Sequence, residues 1–114
     1  MMNYEIILTP SFKRRIRKLK KRFPLVKKDV RIAAEILLEN PELGAMIPGA
    51  SDVRKLRVRN SNLKRGKSGG YRLLYHFDRQ AMRIGLLLLY AKSDRENITL
   101  KEIWNFLEEL NKAE

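Results

Sequence analysis

Lys55, Arg57 and Arg72 are the residues whose types and spacing speak most directly for chemistry. Between Val53 and Tyr75 the chain carries eight basic residues and no acid. Lys55 and Arg57 are two apart, so in a strand they share a face, with Leu56 and Val58 on the other. Arg72, Leu74 and His76 share one face of a second strand, and Tyr71, Leu73 and Tyr75 share the other. If Leu56, Val58, Leu73 and Tyr75 pack on helices, then Lys55, Arg57 and Arg72 meet on the open side. Lys92 leaves the end of a third strand nearby, and Lys64, Arg65 and Lys67 stand on the intervening loop. Opposite charges normally pair across adjacent strands. Two strands and a loop without one acid therefore predict a cationic groove for a polyanion, and phosphate is the group such a groove binds best.

The whole composition points the same way. The 114 residues hold 25 Lys and Arg against 13 Asp and Glu, a net charge of +12. Such a field favours nucleic acid, the ribosome, an acidic protein or an anionic surface. A second basic run, Lys13 to Lys28, has ten basic residues and no acid. It winds around an amphipathic helix and reads as a solvated face. From Ser93 to the end, six acids outnumber three bases. With no cysteine, disulfides, thiol catalysis and thiolate metal sites are excluded, and one histidine excludes a His-rich metal site. No stretch approaches the roughly 18 apolar residues of a membrane span. The first residues lack the pattern of a signal peptide, so a cytoplasmic protein is expected.

Several motifs fail. Gly66-Lys67-Ser68 is like the end of a phosphate-binding P-loop, but Ser61 stands where that loop needs glycine, and a strand follows instead of a helix. His76 is a lone histidine in a strand, a position more often structural than catalytic. Trp104 reads as packing or a partner contact. No paired carboxylates occur in the basic region, which argues against a two-metal nuclease.

The elements that would position these residues can be read from periodicity. Asn3 to Leu8 is a strand, with Tyr4, Ile6 and Leu8 alternating against Glu5 and Ile7. Thr9-Pro10 is an N-cap followed by proline at the first helical position. Phe12, Ile16, Leu19 and Phe23 then form one helical stripe, broken at Pro24. A second helix runs from about Leu25 to Asn40, with Val26, Val30, Ala33, Ile36 and Leu37 inward. Pro41 to Ser51 reads as loop. Strands follow at Val53–Val58, Tyr71–Phe77 and Met82–Ala91, the last the most apolar and the expected centre. Thr99 and Glu102 form a capping box, with Ile98 and Ile103 as its hydrophobic staple, opening a final helix. The expectation is a single α+β domain: N-terminal strand, helical hairpin, antiparallel three-stranded meander, C-terminal helix.

Four segments carry a family resemblance, in order along almost the whole chain. They are Gly44-Ala45-Met46-Ile47-Pro48-Gly49, Val53-Arg54-Lys55-Leu56-Arg57, Gly66 through Tyr75, and Leu89-Tyr90-Ala91-Lys92-Ser93-Asp94. Together they resemble the RelE/ParE superfamily of bacterial type II toxins, nearest the HigB-like branch. The resemblance implies a RelE-like fold and a toxin held by a cognate antitoxin protein. It implies an endoribonuclease acting on mRNA in the ribosomal A site, without cofactor, metal or membrane. ParE-like relatives instead inhibit DNA gyrase, and a non-catalytic RNA-binding module on the same fold is the other alternative.

By resemblance the basic catalytic positions fall on Lys55, Arg57 and Arg72. An arginine just after the last strand and a tyrosine in the final helix, used by RelE-type toxins, are matched here by Ser93 and Thr99. Lys92, Tyr90 and Arg95 are the candidates to stand in. Arg54, Lys64, Arg65, Lys67, Tyr90 and Arg95 are the expected RNA contacts. In this assignment Lys55 is the base, Arg57 and Arg72 clamp the phosphate, and Lys92 or Lys67 adds charge. Crowded cations lower one another's pKa, which is what a lysine base requires. His76 is a weaker candidate for proton donor, since four strand residues place it about 13 Å from Arg72.

Overall fold

Thr9 and Pro10 open the first helix as their types require. The Thr9 hydroxyl accepts from the Phe12 N–H at 3.1 Å, and Pro10 takes the first helical position. The computed structural model describes residues 3–64 and 70–112. In it the elements run β1 (Glu5–Leu8), α1 (Pro10–Lys20), α2 (Val26–Glu39), β2 (Ala45–Met46), β3 (Val53–Val58), β4 (Tyr71–Asp78), β5 (Arg83–Ala91) and α3 (Leu100–Lys112).

The strands form one sheet in the order β1-β5-β4-β3-β2. The antiparallel meander β3-β4-β5 is present as expected. Two features go beyond that reading. β1 joins the meander by parallel pairing with β5, and the helical hairpin carries the chain from β1 across the sheet to β2 and β3. The segment read as loop contains β2, which pairs with Arg54 and Lys55.

The sheet is covered on both faces. Against one face lie α1 and α2. Phe12, Ile16, Leu19, Phe23, Val26, Ala33 and Leu37 meet Val58, Tyr71, Leu73, Tyr75, Phe77, Ile84, Leu86 and Leu89 there. The stripe of the first helix thus holds, although α1 ends at Lys20 and Phe23 is buried from the following turn, edge-on to Tyr71. In α2 the inward face differs from expectation in two places. Asp29 is buried, and Ile36 stays 44% exposed.

Against the other face lies α3, so this face is only partly open. Ile103 and Leu110 cover Val53, Leu74, Leu87, Leu88 and Tyr90. The capping box forms as read: Glu102 N–H donates to the Thr99 hydroxyl and Thr99 N–H to the Glu102 carboxylate, each at 3.1 Å. Ile98 and Ile103 both pack into this layer.

β5 carries a bulge. Leu74 pairs with Leu88 but Tyr75 pairs with Leu86, which leaves Leu87 as the extra residue. Ile84 and Leu86 therefore face α1 and α2, and so do Leu89 and Ala91, three and five residues beyond Leu86. Leu87 and Leu88, although consecutive, both pack on the α3 side.

Gly85 has a packing reason. A β-carbon there would lie 2.5 Å from Leu110 Cδ2 and 2.7 Å from Cδ1. Gly85→Ala is expected to cost about 1–3 kcal/mol by overpacking. Urea denaturation checks this, and Leu110→Ala in the same chain should recover part of the loss specifically at this contact.

Candidate functional site

Three residues form a row across the α3 side of the sheet, from Tyr90 under the helix layer to Arg57 in solvent. Arg57 pairs directly with Arg72, and Arg72 pairs with Tyr90. Cross-strand partners have β-carbons about 5 Å apart, so two guanidinium groups are rooted side by side. Arg57 is exposed, and Arg72 and Lys55 are half-buried. Lys55 lies on the same face two residues along β3, opposite Leu74. Arg72 donates one N–H to the Tyr71 carbonyl at 3.1 Å. Among the described residues no carboxylate pairs with Lys55, Arg57 or Arg72. Like charges rooted opposite one another cost stability unless an anion sits between them.

Tyr90 closes the row. It is 2% exposed, and its hydroxyl has no hydrogen-bond partner among the described residues. Burial raises its pKa, and the nearby Arg72 and Arg95 guanidinium groups pull against that rise. Arg95 lies 5.7 Å from the Tyr90 ring centroid. Lys92 follows β5, exposed, with its backbone N–H extending the ladder to the Gly70 carbonyl at 3.0 Å. The alternation from Tyr90 places Lys92 on the same side.

Other expected residues serve different ends. Arg54 sits on the opposite face of β3 from Lys55 and Arg57, 9% exposed, and donates to the Glu42 and Gly44 carbonyls at 3.0 Å each. It is therefore a strut for the 41–44 loop, not an exposed phosphate contact. The Tyr75 hydroxyl pins the same loop, accepting from Gly44 N–H at 2.8 Å and donating to the Pro41 carbonyl at 2.7 Å. Arg95 is bound to the Glu102 carboxylate at 2.9 Å and to the Asn97 carbonyl. Thr99 is spent on the capping box. Ser93 is exposed in the turn after β5, beside Asp94, which pairs with Arg22 at 2.9 Å. His76 shares the Arg72 face but pairs with Val53 and Gly85, in the row that Leu110 covers. The structure does not bring it to Arg57 and Arg72. Lys64 is exposed at the start of the basic loop, while Arg65 and Lys67 lie outside the described residues.

One supporting group escaped the sequence reading. Buried Asp29 accepts from the Ser61 backbone N–H at 2.8 Å and from the Ser61 hydroxyl. Asn62 accepts from the Leu25 N–H at the start of α2, and Asn60 bonds Asn62 in turn. These bonds fasten the base of the basic loop to α2. The available signal was a carboxylate at Asp29, on the inward stripe between Val26 and Ala33, where an unpaired charge would be too costly to bury.

The element order, mixed sheet and two-sided helix cover define a RelE-like α+β fold. A structure of the E. coli toxin RelE, an arginine-to-alanine double mutant in the free state, superposes with a TM-score of 0.61. It is 19% identical, and the match covers 97% of each chain. No family model matches the sequence. No helix among the described residues is long and apolar enough to cross a membrane.

Two predictions test these assignments. Hydrogen bonding and charge from Arg95, then the Thr99 N–H, hold the Glu102 carboxyl below its ordinary pKa. A carboxyl depressed in the folded state stabilises above its unfolded pKa and loses that contribution as pH falls through the folded one. Trp104 fluorescence should therefore report a destabilised α3 below about pH 4.5. Glu102→Gln, which keeps the cap acceptor but not the charge, should flatten that dependence. Arg54→Met should destabilise the fold by about 1–3 kcal/mol, read by thermal melting, because two loop carbonyls lose their donor. RNA affinity measured on the folded variant should stay unchanged.

Proposed function

We propose that this protein is the toxin of a type II toxin–antitoxin pair in the RelE/ParE superfamily, and that it cleaves mRNA on the ribosome. The observation that carries this reading is the Arg57–Arg72 pair, rooted in register with no carboxylate partner among the described residues. Arranged so, the two guanidinium groups are suited to a dianionic phosphorane between them.

The reaction assigned here forms the bond from O2′ to phosphorus and breaks the bond from phosphorus to O5′. Lys55, on the same face, takes the proton from the 2′-hydroxyl. Arg57 and Arg72 stabilise the charge that gathers on the phosphoryl oxygens. The leaving 5′-oxygen takes a proton, and Lys92 supplies charge and protons at the end of the row. Tyr90 backs Arg72 and limits where its guanidinium rests. The exposed cations of α1 lie across the sheet from this row, so they hold ribosomal RNA by its phosphates while the row meets the message. The partner in the resting state is a cognate antitoxin.

A second reading has a specific observation in its favour. Thr99 is consumed by a helix cap and Arg95 by Glu102, at and near the positions where RelE-type toxins use a tyrosine and an arginine. A non-catalytic RNA-binding protein on this fold needs neither.

Primer extension on mRNA from a translating extract separates the two. The nuclease reading expects cuts within codons during translation only, and a loss of about a hundredfold or more for Arg72→Ala. Uncut mRNA with translation blocked supports the binding module. Uncut mRNA with translation intact sends the test to DNA supercoiling, the gyrase alternative. RNA affinity should fall steeply with salt, and Arg57→Ala should lower the logarithmic salt slope by about one contact.

A further inference from the structure

A groove of about 460 Å³ runs between α1 and α2 beside β1, on the side of the sheet away from the cationic row. Its floor is Ile6, Leu8, Phe12, Ile16, Val30 and Leu86. Phe12, Ile16 and Leu86 are buried, and Leu8 is 37% exposed. None of these side chains carries a hydrogen-bonding group. A polar group buried on them would go unpaired, so whatever fills the groove must be hydrocarbon there. The volume lies within the range of small-molecule sites.

The rim is cationic. Lys13 and Arg17 stand one turn apart on α1, and Lys27 and Arg31 one turn apart on α2; all four line the groove and are exposed. Among the described residues no acid lines it. Arg31 meets Glu35 at 4.0 Å, while Lys13, Arg17 and Lys27 have no carboxylate partner among the described residues. Like charges four apart on a helix oppose its stability. Two such pairs around one apolar trough are complementary to an anion carried on an apolar body.

We propose that this groove binds a single-chain amphiphilic anion, a hydrocarbon chain ending in a carboxylate or phosphate. The chain would lie along Ile6, Ile16 and Val30, with the head among the rim cations. A nucleoside is a poor occupant, because its base edges find no partner on the floor. Helices packed as a pair stand about 8–10 Å apart, so an acidic helix about 10 Å wide would sit on the pair and not in it. Ala34 is half-buried in the α2 wall, where a larger side chain would take the place of the hydrocarbon. A bound head would withdraw Lys13 and Arg17 from the α1 cations assigned to ribosomal RNA, so such a ligand would weaken ribosome binding. That consequence alone rests on the functional reading; the site does not.

The probes are decanoate and decyl phosphate, added to the full chain below micelle-forming concentrations and followed by calorimetry and methyl NMR. A single molecule per chain should shift the Ile6, Ile16 and Val30 methyls, and the tighter of the two probes identifies the head. Each buried methylene is worth about fourfold in affinity, so hexanoate should bind at least about tenfold more weakly than decanoate. Decanol, without the charge, and decyltrimethylammonium, with the opposite one, should each lose about tenfold or more. Arg17→Glu combined with Lys27→Glu, both exposed, should weaken decanoate about tenfold. Ala34→Leu, with its fold checked by circular dichroism, should abolish the Ile16 and Val30 shifts. Equal binding of hexanoate and decanoate would overturn the proposal, leaving an anion held by charge alone. Several equivalent sites per chain, or shifts that survive Ala34→Leu, would also overturn it. So would an acidic helical peptide that shifts these methyls where decanoate does not, by making a protein the occupant. Decanoate seated in the groove with ribosome affinity unchanged would remove Lys13 and Arg17 from the RNA contacts and leave the site standing.

Discussion

The bulge in β5 decides which side chains reach each face of the sheet. Leu87 is the extra residue, so the strand changes sides between Leu86 and Leu88. Were the alternation unbroken from Ile84, Tyr90 would point at α1 and α2. With the bulge it stands beside Arg72, and Leu89 and Ala91 fill the helical layer instead. Both faces of β5 are buried, and each layer needs apolar residues at the right depth. One inserted residue satisfies both layers and completes the cationic row at the same time. Bulges commonly re-aim a side chain in this way next to functional sites.

A second constraint follows from the charge. With +12 overall, this chain cannot pair every cation internally. Those that are paired act as fasteners. Arg22 ties the end of α1 to Asp94, Arg95 ties the 93–97 turn to the start of α3, and Arg54 holds the 41–44 loop by its carbonyls. The exposed ion pairs add little stability individually. Their effect is to remove some arginines from the set able to meet a polyanion. What is left on the sheet is narrower than the composition suggests: Lys55, Arg57 and Arg72, with Lys92 at the end. The row roots like charges directly opposite one another, and a phosphate would relieve that repulsion.

Burial also explains where loops are held. Tyr75 and Asp29 each sit under a loop and give it hydrogen bonds inside the core. Burial lifts the Tyr75 pKa, so its hydroxyl stays protonated and able to donate to Pro41. Tyr71, beside the Asp29 charge, is pushed up to about 12, chiefly by burial. The neutral Tyr75 phenol and the Asp29 carboxylate, each hydrogen-bonded, let polar anchors exist within an apolar layer.

Much of the fold was legible along the chain. Thr9-Pro10, the Phe12–Ile16–Leu19–Phe23 stripe, the Thr99–Glu102 capping box and the Val53–Val58 strand are local patterns, set by spacing within one element. The shared face of Lys55 and Arg57 was legible for the same reason. Arg54 was misplaced because its charge suggested solvent, whereas its parity puts it on the helical face and two backbone carbonyls accept from one of its terminal nitrogens there. Asp29 was missed because its partner, Ser61, is 32 residues away. The parallel pairing of β1 is likewise a contact between distant segments. β2 is too short to carry a period. Above all, the run Leu86-Leu87-Leu88-Leu89 has no alternation to read, since four identical side chains look the same on either face. The sequence by itself determined the elements and the supply of cations. Only tertiary packing, by choosing the register of that leucine run against β4 and two helical layers, decided which of those cations stand together.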